Sequence, residues 1–265
     1  MAEFLDVARE AALQAGKLVL ANLHGTQEVR YKGEGHKNPA SQIDEQAEEI
    51  IINTISSHFP EHGFISEERG AKNTASDYTW IIDPLDGTVN YIHRYRLFGT
   101  SIALSCKGDI ILGVVYNPCA DEMFTAVKGK SAFLNGEGIR VSAVSRLDEC
   151  LLAMGFPYDR NSEAFSSSIW RFARLVKDGQ ALRRDGSTAL DLCHVACGRF
   201  DGFCVAGNEL WDYAAGTLIV TEAGGRVTDF QGNEFSINND RSEVLATNGH
   251  VHDMILSRFQ DEAAD

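Results

Sequence analysis

No apolar run in this chain of 265 residues approaches the ~18 needed to cross a bilayer, so no membrane-spanning helix is expected. The opening residues, Met-Ala-Glu-Phe-Leu-Asp, are acidic and lack the basic-then-apolar layout of an export signal. No C-x-x-C pair occurs among the six cysteines at 106, 119, 150, 193, 197 and 204. They are too few and too scattered for a disulfide framework, and they are expected reduced and mostly buried in a cytoplasmic protein. Cys193 and Cys197, four apart with His194 beside the first, admit a metal site, but burial as small hydrophobes is the commoner fate. Basic residues are the minority, 24 Lys and Arg against 38 Asp and Glu, for a net charge of −14. Direct nucleic-acid binding is therefore not expected, because both surfaces would be negative. An anionic substrate would need cations or backbone amides to receive it. There is no G-x-S-x-G elbow for a serine nucleophile, and no cysteine has an evident cationic or helix-start setting.

What is present is ordinary globular material, 44% hydrophobic and 23% charged, long enough for one large domain or two small ones. Apolar residues recur with helical spacing from Phe4 to Leu23. A glycine- and charge-rich loop, residues 31–40, follows. Ser41, with Asp44 three positions on, then caps a second helix that stops near Pro60. From Phe64 the pattern turns to short apolar runs at Tyr78–Ile82, Thr100–Ser105, Ile110–Tyr116, Met123–Val127 and Ala132–Leu134, read as strands. Beyond residue 145 it alternates. Strands are expected at Leu151–Met154, Gly202–Val205, Val227–Thr228 and Val244–Thr247, with helices at Ala164–Val176, Ser187–Cys197 and Trp211–Glu222. The chain is accordingly divided into residues 1–145, a helix pair on a sheet, and residues 146–265, a smaller alternating α/β part.

The most informative stretch is Trp80-Ile-Ile-Asp-Pro-Leu-Asp-Gly-Thr-Val-Asn90. An apolar strand reaches Asp83, and Pro84 is expected to stop its ladder. Alternation alone would place Asp83 and Asp86 on opposite faces, whereas a turn at Pro84-Leu85 lets them converge. Two converging carboxylates repel unless a cation or a shared proton lies between them, and all-oxygen ligands select Mg²⁺, Mn²⁺ or Ca²⁺. The amides of Gly87 and Thr88 would face outward at a helix start, a setting that attracts phosphate. Taken alone, the stretch also reads as an Asp-rich turn capping a helix. Glu67 and Glu68 precede it, and Asp212 follows Trp211 at a helix start, where an N-cap is the plain reading.

Glu67-Glu68, Asp83-Pro-Leu-Asp-Gly-Thr88 and Trp211-Asp212-Tyr-Ala-Ala-Gly216, in this order, resemble the inositol monophosphatase family of magnesium-dependent, lithium-sensitive phosphomonoesterases. Asn38-Pro-Ala-Ser-Gln-Ile-Asp44 and Gly186-Ser-Thr-Ala-Leu-Asp-Leu192 extend the likeness over nearly the whole chain. The resemblance implies a layered α-β-α-β-α sandwich and two or three Mg²⁺ per site, with Mn²⁺ as substitute and Li⁺ as inhibitor. Glu67, Asp83 and the Leu85 carbonyl would hold one metal. Asp83, Asp86 and Asp212 would hold another, and Asp44 and Glu68 would stand near a third. Thr88, with Glu67 or Asp44, would orient the attacking water, while Gly87 and Thr88 amides grip the phosphate. Gly186, Ser187, Thr188, Val205 and Glu209, with Asp86 and Asp212, fall at substrate-facing positions. A homodimer is implied as well.

The chain also departs from the family. Val205 stands where inositol phosphatases carry a glutamate that accepts from substrate hydroxyls, and valine cannot accept. Thr188 replaces the usual alanine, and Glu209 is an alternative acceptor in the loop before Trp211. Hydrolysis of a small phosphate monoester, inositol 1-phosphate first, is thus the leading expectation. Fructose 1,6-bisphosphate, histidinol phosphate and 3′-phosphoadenosine 5′-phosphate are alternatives within the superfamily. A regulatory binding protein on the same fold, such as relatives that work with transcription machinery, is the rival of another class.

Overall fold

The computed structural model describes residues 1–25, 29–31, 39–237 and 243–260. The polar loop expected at 31–40 lies largely outside them, as does Asn38. The chain opens with helix α1 (Ala2–Ala21), a two-stranded ribbon β1 (Val29–Tyr31) and β2 (Pro39–Ser41), and helix α2 (Gln42–His58). Ser41 caps α2 as its spacing with Asp44 requires. Its hydroxyl accepts from the Ile43 amide, and the Asp44 carboxylate accepts from the Ser41 amide at 2.9 Å.

Eight strands follow: β3 (Gly63–Ser66), β4 (Gly70–Lys72), β5 (Tyr78–Asp86), β6 (Gly99–Cys106), β7 (Asp109–Asn117), β8 (Glu122–Val127), β9 (Ala132–Leu134) and β10 (Glu137–Ile139), with the short helix α3 (Thr88–Ile92) after β5. They form one sheet in the order β10-β9-β8-β7-β6-β5-β3-β4, antiparallel except for the parallel pair β3/β5. After residue 145 come β11 (Leu151–Met154), α4 (Glu163–Asp178), β12 (Ala181–Arg183), α5 (Thr188–Ala196), β13 (Gly202–Ala206), α6 (Leu210–Glu222), β14 (Arg226–Thr228), β15 (Glu243–Thr247) and α7 (His252–Gln260). Their sheet runs β12-β11-β13-β15-β14.

The period-2 alternation of the strands sorts their side chains into layers. Trp80 and Ile82 of β5 pack with Val7, Ala11, Ile51 and Ile55 of α1 and α2, while Ile81 between them faces the opposite way, with Leu190 of α5 and Ala214 of α6. In the smaller sheet Phe203 and Val205 face that same central helix layer, and Cys204 faces Leu175, Ile255 and Phe259 of α4 and α7. The result is helix pair, sheet, helix pair, sheet, helix pair, the expected α-β-α-β-α sandwich. Short strands with few apolar residues, β4, β10 and β12, and the terminal helix α7 carry no pattern strong enough to be read in advance.

One expectation about the ladder is corrected. β5 does not stop at Pro84 but runs to Asp86, and its register with β6 shifts there: Asp83 stands opposite Ser101 and Asp86 opposite Gly99. Three steps on β5 match two on β6, so the strand bulges, and the missing proline amide falls in the bulge.

Candidate active site

The bulge does what alternation forbids: Asp83 and Asp86 both face one cavity of about 530 Å³. Glu67, just past β3, Asp212 in the first turn of α6, and Leu85, Gly87 and Thr88 line it as well. So do Gly186, Ser187 and Thr188 at the start of α5, and Glu209 at the start of α6. Five elements thus deliver their ends to one place: the C-terminal ends of β3 and β5 and the N-terminal ends of α3, α5 and α6. Gly87 makes the exit from β5. Its φ of +93° lies in the left-handed region, and a Cβ there would approach the Leu97 carbonyl to 3.1 Å.

Asp86 is held by the start of α5. Its carboxylate accepts from Ser187 Oγ (2.5 Å), the Ala189 amide (2.8 Å) and the Thr188 amide (3.2 Å). Burial nevertheless raises its pKa to about 6 against those bonds. Asp83, 2% exposed, accepts from the Leu85 amide at 3.0 Å. Its carboxyl is pushed well above the usual range by burial, then by the charges of Glu67, Asp86 and Asp212. Asp212 is raised by burial and then by Asp86 and Glu67. Its Oδ2 accepts from the amide of Glu209, and Glu209, not Asp212, is the N-cap of α6. Seven acids and a single base, Arg184, line the cavity. Buried oxygen donors that repel one another in this way fit a hard divalent cation: Asp83, Asp86, Asp212 and Glu67 offer carboxylates, and Leu85 a backbone carbonyl.

Two expected residues stand behind the wall. Asp44 is fully buried on α2, with its Oδ1 3.0 Å from Thr88 Oγ1. Burial, opposed by the Ser41 hydrogen bonds and then reinforced by Glu67 and Glu68, lifts its pKa to about 7. Thr88 Oγ1 is also 3.0 Å from the Leu85 carbonyl. One hydroxyl proton cannot serve both acceptors at once, so Thr88 donates either to Asp44 or to the Leu85 carbonyl. Glu68 lies outside the cavity, and its amide donates to Glu48 Oε1 at 2.9 Å. Val205 does not reach the cavity either. It is fully buried in β13, and a Cβ on the cavity residue Gly155 would come within 2.6 Å of it.

Other site residues carried no motif. Glu48, fully buried, ties α2 to the Glu67-Glu68 turn, and its pKa is raised by burial. The available signal was its place four residues after Asp44 on the otherwise apolar face of Ile43, Ala47 and Ile51. Tyr158 lines the cavity, and burial together with Asp212 and Asp86 pushes its hydroxyl upward. Asn208 donates to Thr188 Oγ1 at 2.9 Å. The six cysteines are free, and Cys150, Cys193, Cys197 and Cys204 all have pKa values raised first by burial, so none is a poised thiolate.

Among the described residues, no helix is long and apolar enough to cross a membrane. The family model for the inositol monophosphatase family matches residues 1–264. Inositol monophosphatase 2 of Solanum lycopersicum is 40% identical over 267 residues, covering 98% of this chain and 99% of its own. Nus factor SuhB of Escherichia coli (strain K12) is also 40% identical, covering 100% of this chain and 98% of its own. Among solved structures, extragenic suppressor protein suhB from Bartonella henselae superposes with a TM-score of 0.91 at 36% identity, covering 98% of this chain and 99% of its own. Inositol monophosphatase from Anabaena (Nostoc) sp. PCC 7120 gives 0.85 at 39%, covering 97% and 94%. With the carboxylates gathered at one cavity, the chain belongs to the inositol monophosphatase family and is a divalent-metal-dependent hydrolase of small phosphate monoesters.

Proposed function

We propose that the substrate is the phosphate monoester of a small polyol or sugar, inositol 1-phosphate first, and that the metal is Mg²⁺, two or three ions per site. The observation that carries this reading is the convergence of Asp83, Asp86, Asp212 and Glu67 on one cavity, where burial and mutual repulsion raise the aspartates. Glu67, Asp83 and the Leu85 carbonyl would hold one ion and Asp83, Asp86 and Asp212 a second, with Asp44 and Glu68 nearest a third. When bound, the ions offset the phosphate's double negative charge and acidify water.

The chain's own residues position the reactants. Gly87 and Thr88, at the start of α3, grip the phosphate through their amides. Thr88 Oγ1, anchored on Asp44, orients the attacking water, whose proton passes to Glu67 or Asp44. The water oxygen bonds to phosphorus as the ester P–O bond breaks, and the leaving alkoxide takes up a proton from solvent water. Gly186, Ser187, Thr188 and Glu209 face the alcohol part. Val205 offers it no acceptor, so selectivity among alcohols is loose. Mn²⁺ would substitute for Mg²⁺, and Li⁺ would inhibit by taking the place of the ion that Asp83, Asp86 and Asp212 would hold. The working unit is a homodimer, as the family likeness suggests.

The test is phosphate release from inositol 1-phosphate, glycerol 2-phosphate, 2′-AMP, fructose 1,6-bisphosphate, histidinol phosphate and 3′-phosphoadenosine 5′-phosphate, with and without Mg²⁺. Mg²⁺-dependent release with similar kcat/KM for inositol 1-phosphate and other monoesters is the expected result. Release from the bisphosphates alone would move the substrate assignment, and release from none would remove the catalytic reading. A second reading, action through a protein partner, rests on the likeness to the E. coli protein named Nus factor SuhB. The complete carboxylate set favours catalysis over it.

A further inference from the structure

At the wall of the active cavity, which Asp191 lines, a second group of donors is brought together by α5 and the loop that precedes it. Asp191 and His194 are three residues apart on α5 and so share a face. Asp185 lies two residues before Ser187, the N-cap of α5, and its carbonyl accepts from Asn90 Nδ2 at 2.8 Å. One donor atom from each of Asp185, Asp191 and His194 falls within 4.8 Å of the others. None of the three is among the proposed Mg²⁺ ligands.

Two atoms of this group lack hydrogen-bond partners. Asp191 is 1% exposed and its Oδ1 has none, and the buried Nδ1 of His194 has none. Buried polar atoms are paired in almost every native structure, so two orphans in one three-residue cluster point to a missing ligand. The imidazole is in its ligating form: burial, then the charge of Arg199, lowers its pKa to about 4, so it is neutral near pH 7. Burial, then Asp185 and Asp86, raises Asp191 well above the usual range against the opposing charge of Arg184, a condition that a cation relieves.

We infer that Asp185, Asp191 and His194 form a transition-metal site at the wall of the active cavity, where Asp191 lines it, with ligands separate from those proposed for Mg²⁺, that takes Zn²⁺ or a similar first-row cation. One imidazole and two carboxylates suit Zn²⁺ or Mn²⁺, whereas Mg²⁺ prefers oxygen alone. Zinc–ligand bonds of ~2.0–2.2 Å put donors up to ~4.4 Å apart, so only small side-chain shifts close the site. Two carboxylates balance the charge of a divalent ion. Asp185 and His194 are partly exposed, which leaves a route in. The ion joins the loop before α5 to the helix. Ser187 and the amides of Thr188 and Ala189 in that junction are the groups that hold Asp86, so the ion acts as a positioning element for a proposed Mg²⁺ ligand.

The experiment uses the full chain, stripped with chelator, dialysed and saturated with Mg²⁺. Zn²⁺ is titrated calorimetrically, and Co²⁺ is followed by its visible ligand-field bands. One Zn²⁺ per chain should bind in wild type and in Asp83→Asn alike. Asp185→Asn and His194→Gln should each weaken it by more than the ~10–100-fold that loss of an outer-shell partner costs, and should alter the Co²⁺ bands. Asp185→Asn keeps the carbonyl that anchors Asn90, and melting confirms that each variant is folded. Failure of wild type to bind Zn²⁺ in excess Mg²⁺ overturns the site, as does unchanged affinity in both variants. Loss of binding in Asp83→Asn would place the ion in the Mg²⁺ cavity instead.

Discussion

Asp83 and Asp201 are both nearly free of solvent, 2% and 6% exposed, yet they are surrounded in opposite ways. Asp201 accepts from Ser142 Oγ at 2.5 Å and from the Leu151 amide at 2.7 Å, and so ties the connection after β10 to the start of β11. Asp229, as deeply placed, is wrapped by the amides of Gln231 and Asn233 and by Asn233 Nδ2 at 2.7 Å. Asp83 faces Glu67, Asp86 and Asp212 instead. Burial of an acid therefore does not mark function. What surrounds it does: donors make it a brace, and further acids make it half of a binding site.

The sharpest way to break that contrast is Asp83→Asn. Turnover should fall at least ~100-fold, because the charge proposed to bridge two ions is gone. The metal-free protein should melt no lower than wild type, since the change also removes a repulsion. Turnover within tenfold of wild type would take Asp83 out of its bridging place. Thr88→Ala comes next, with kcat expected to drop ~10–100-fold and KM to move little, because the hydroxyl serves the water and not the substrate. An effect confined to KM would contradict that role. Asp201→Ala should do the converse. Chemical denaturation should register a loss of ~1–3 kcal/mol from two unpaired donors, with turnover per folded molecule unchanged.

The smallest effect concerns pH. Asp86 and Asp44 have folded pKa values of about 6 and about 7, against an ordinary 3.8. A carboxyl raised on folding favours the fold below its unfolded pKa, and that advantage fades as pH rises through the folded value. The metal-free protein therefore carries increasing repulsion between about pH 4 and 7, and Mg²⁺ relieves it. The rise in Tm caused by saturating Mg²⁺ should be slight at pH 5 and reach a few degrees at pH 8. The difference between the two melting series isolates this term from the buried histidines, His194 and His252, whose lowered pKa values act in the opposite direction. A metal-induced shift independent of pH would mean that the ions do not sit among these acids.

The sequence made legible what depends on local order. Short apolar runs disclosed β5 to β8, apolar patterning disclosed α1, α2 and α4 to α6, the spacing of the Asp-Pro-Leu-Asp stretch marked Asp83 and Asp86, and the family resemblance added Glu67 and Asp212. What stayed hidden depends on contacts between distant segments. Pro84 read as a stop because a bulge is a relation between two strands, visible only against β6. Glu48 carried no motif, and its tie to the Glu67-Glu68 turn is a contact between segments twenty residues apart. Val205 aligns with a substrate-facing position, but the pleat of β13 and the proximity of Gly155 keep it in the interior.

Gly216, the last residue of the Trp-Asp motif, never meets the cavity, yet a Cβ there would strike Leu192 of α5 at 2.6 Å. Its bare backbone lets α5 and α6 lie side by side in the central layer. One of these helices grips Asp86 by its first amides, and the other carries Asp212 in its first turn. The span between those two carboxylates is thus gauged by an interhelical contact in the interior. A single methyl group in the middle of the sandwich is therefore expected to be felt at its mouth, as a change in the distance between Asp86 and Asp212.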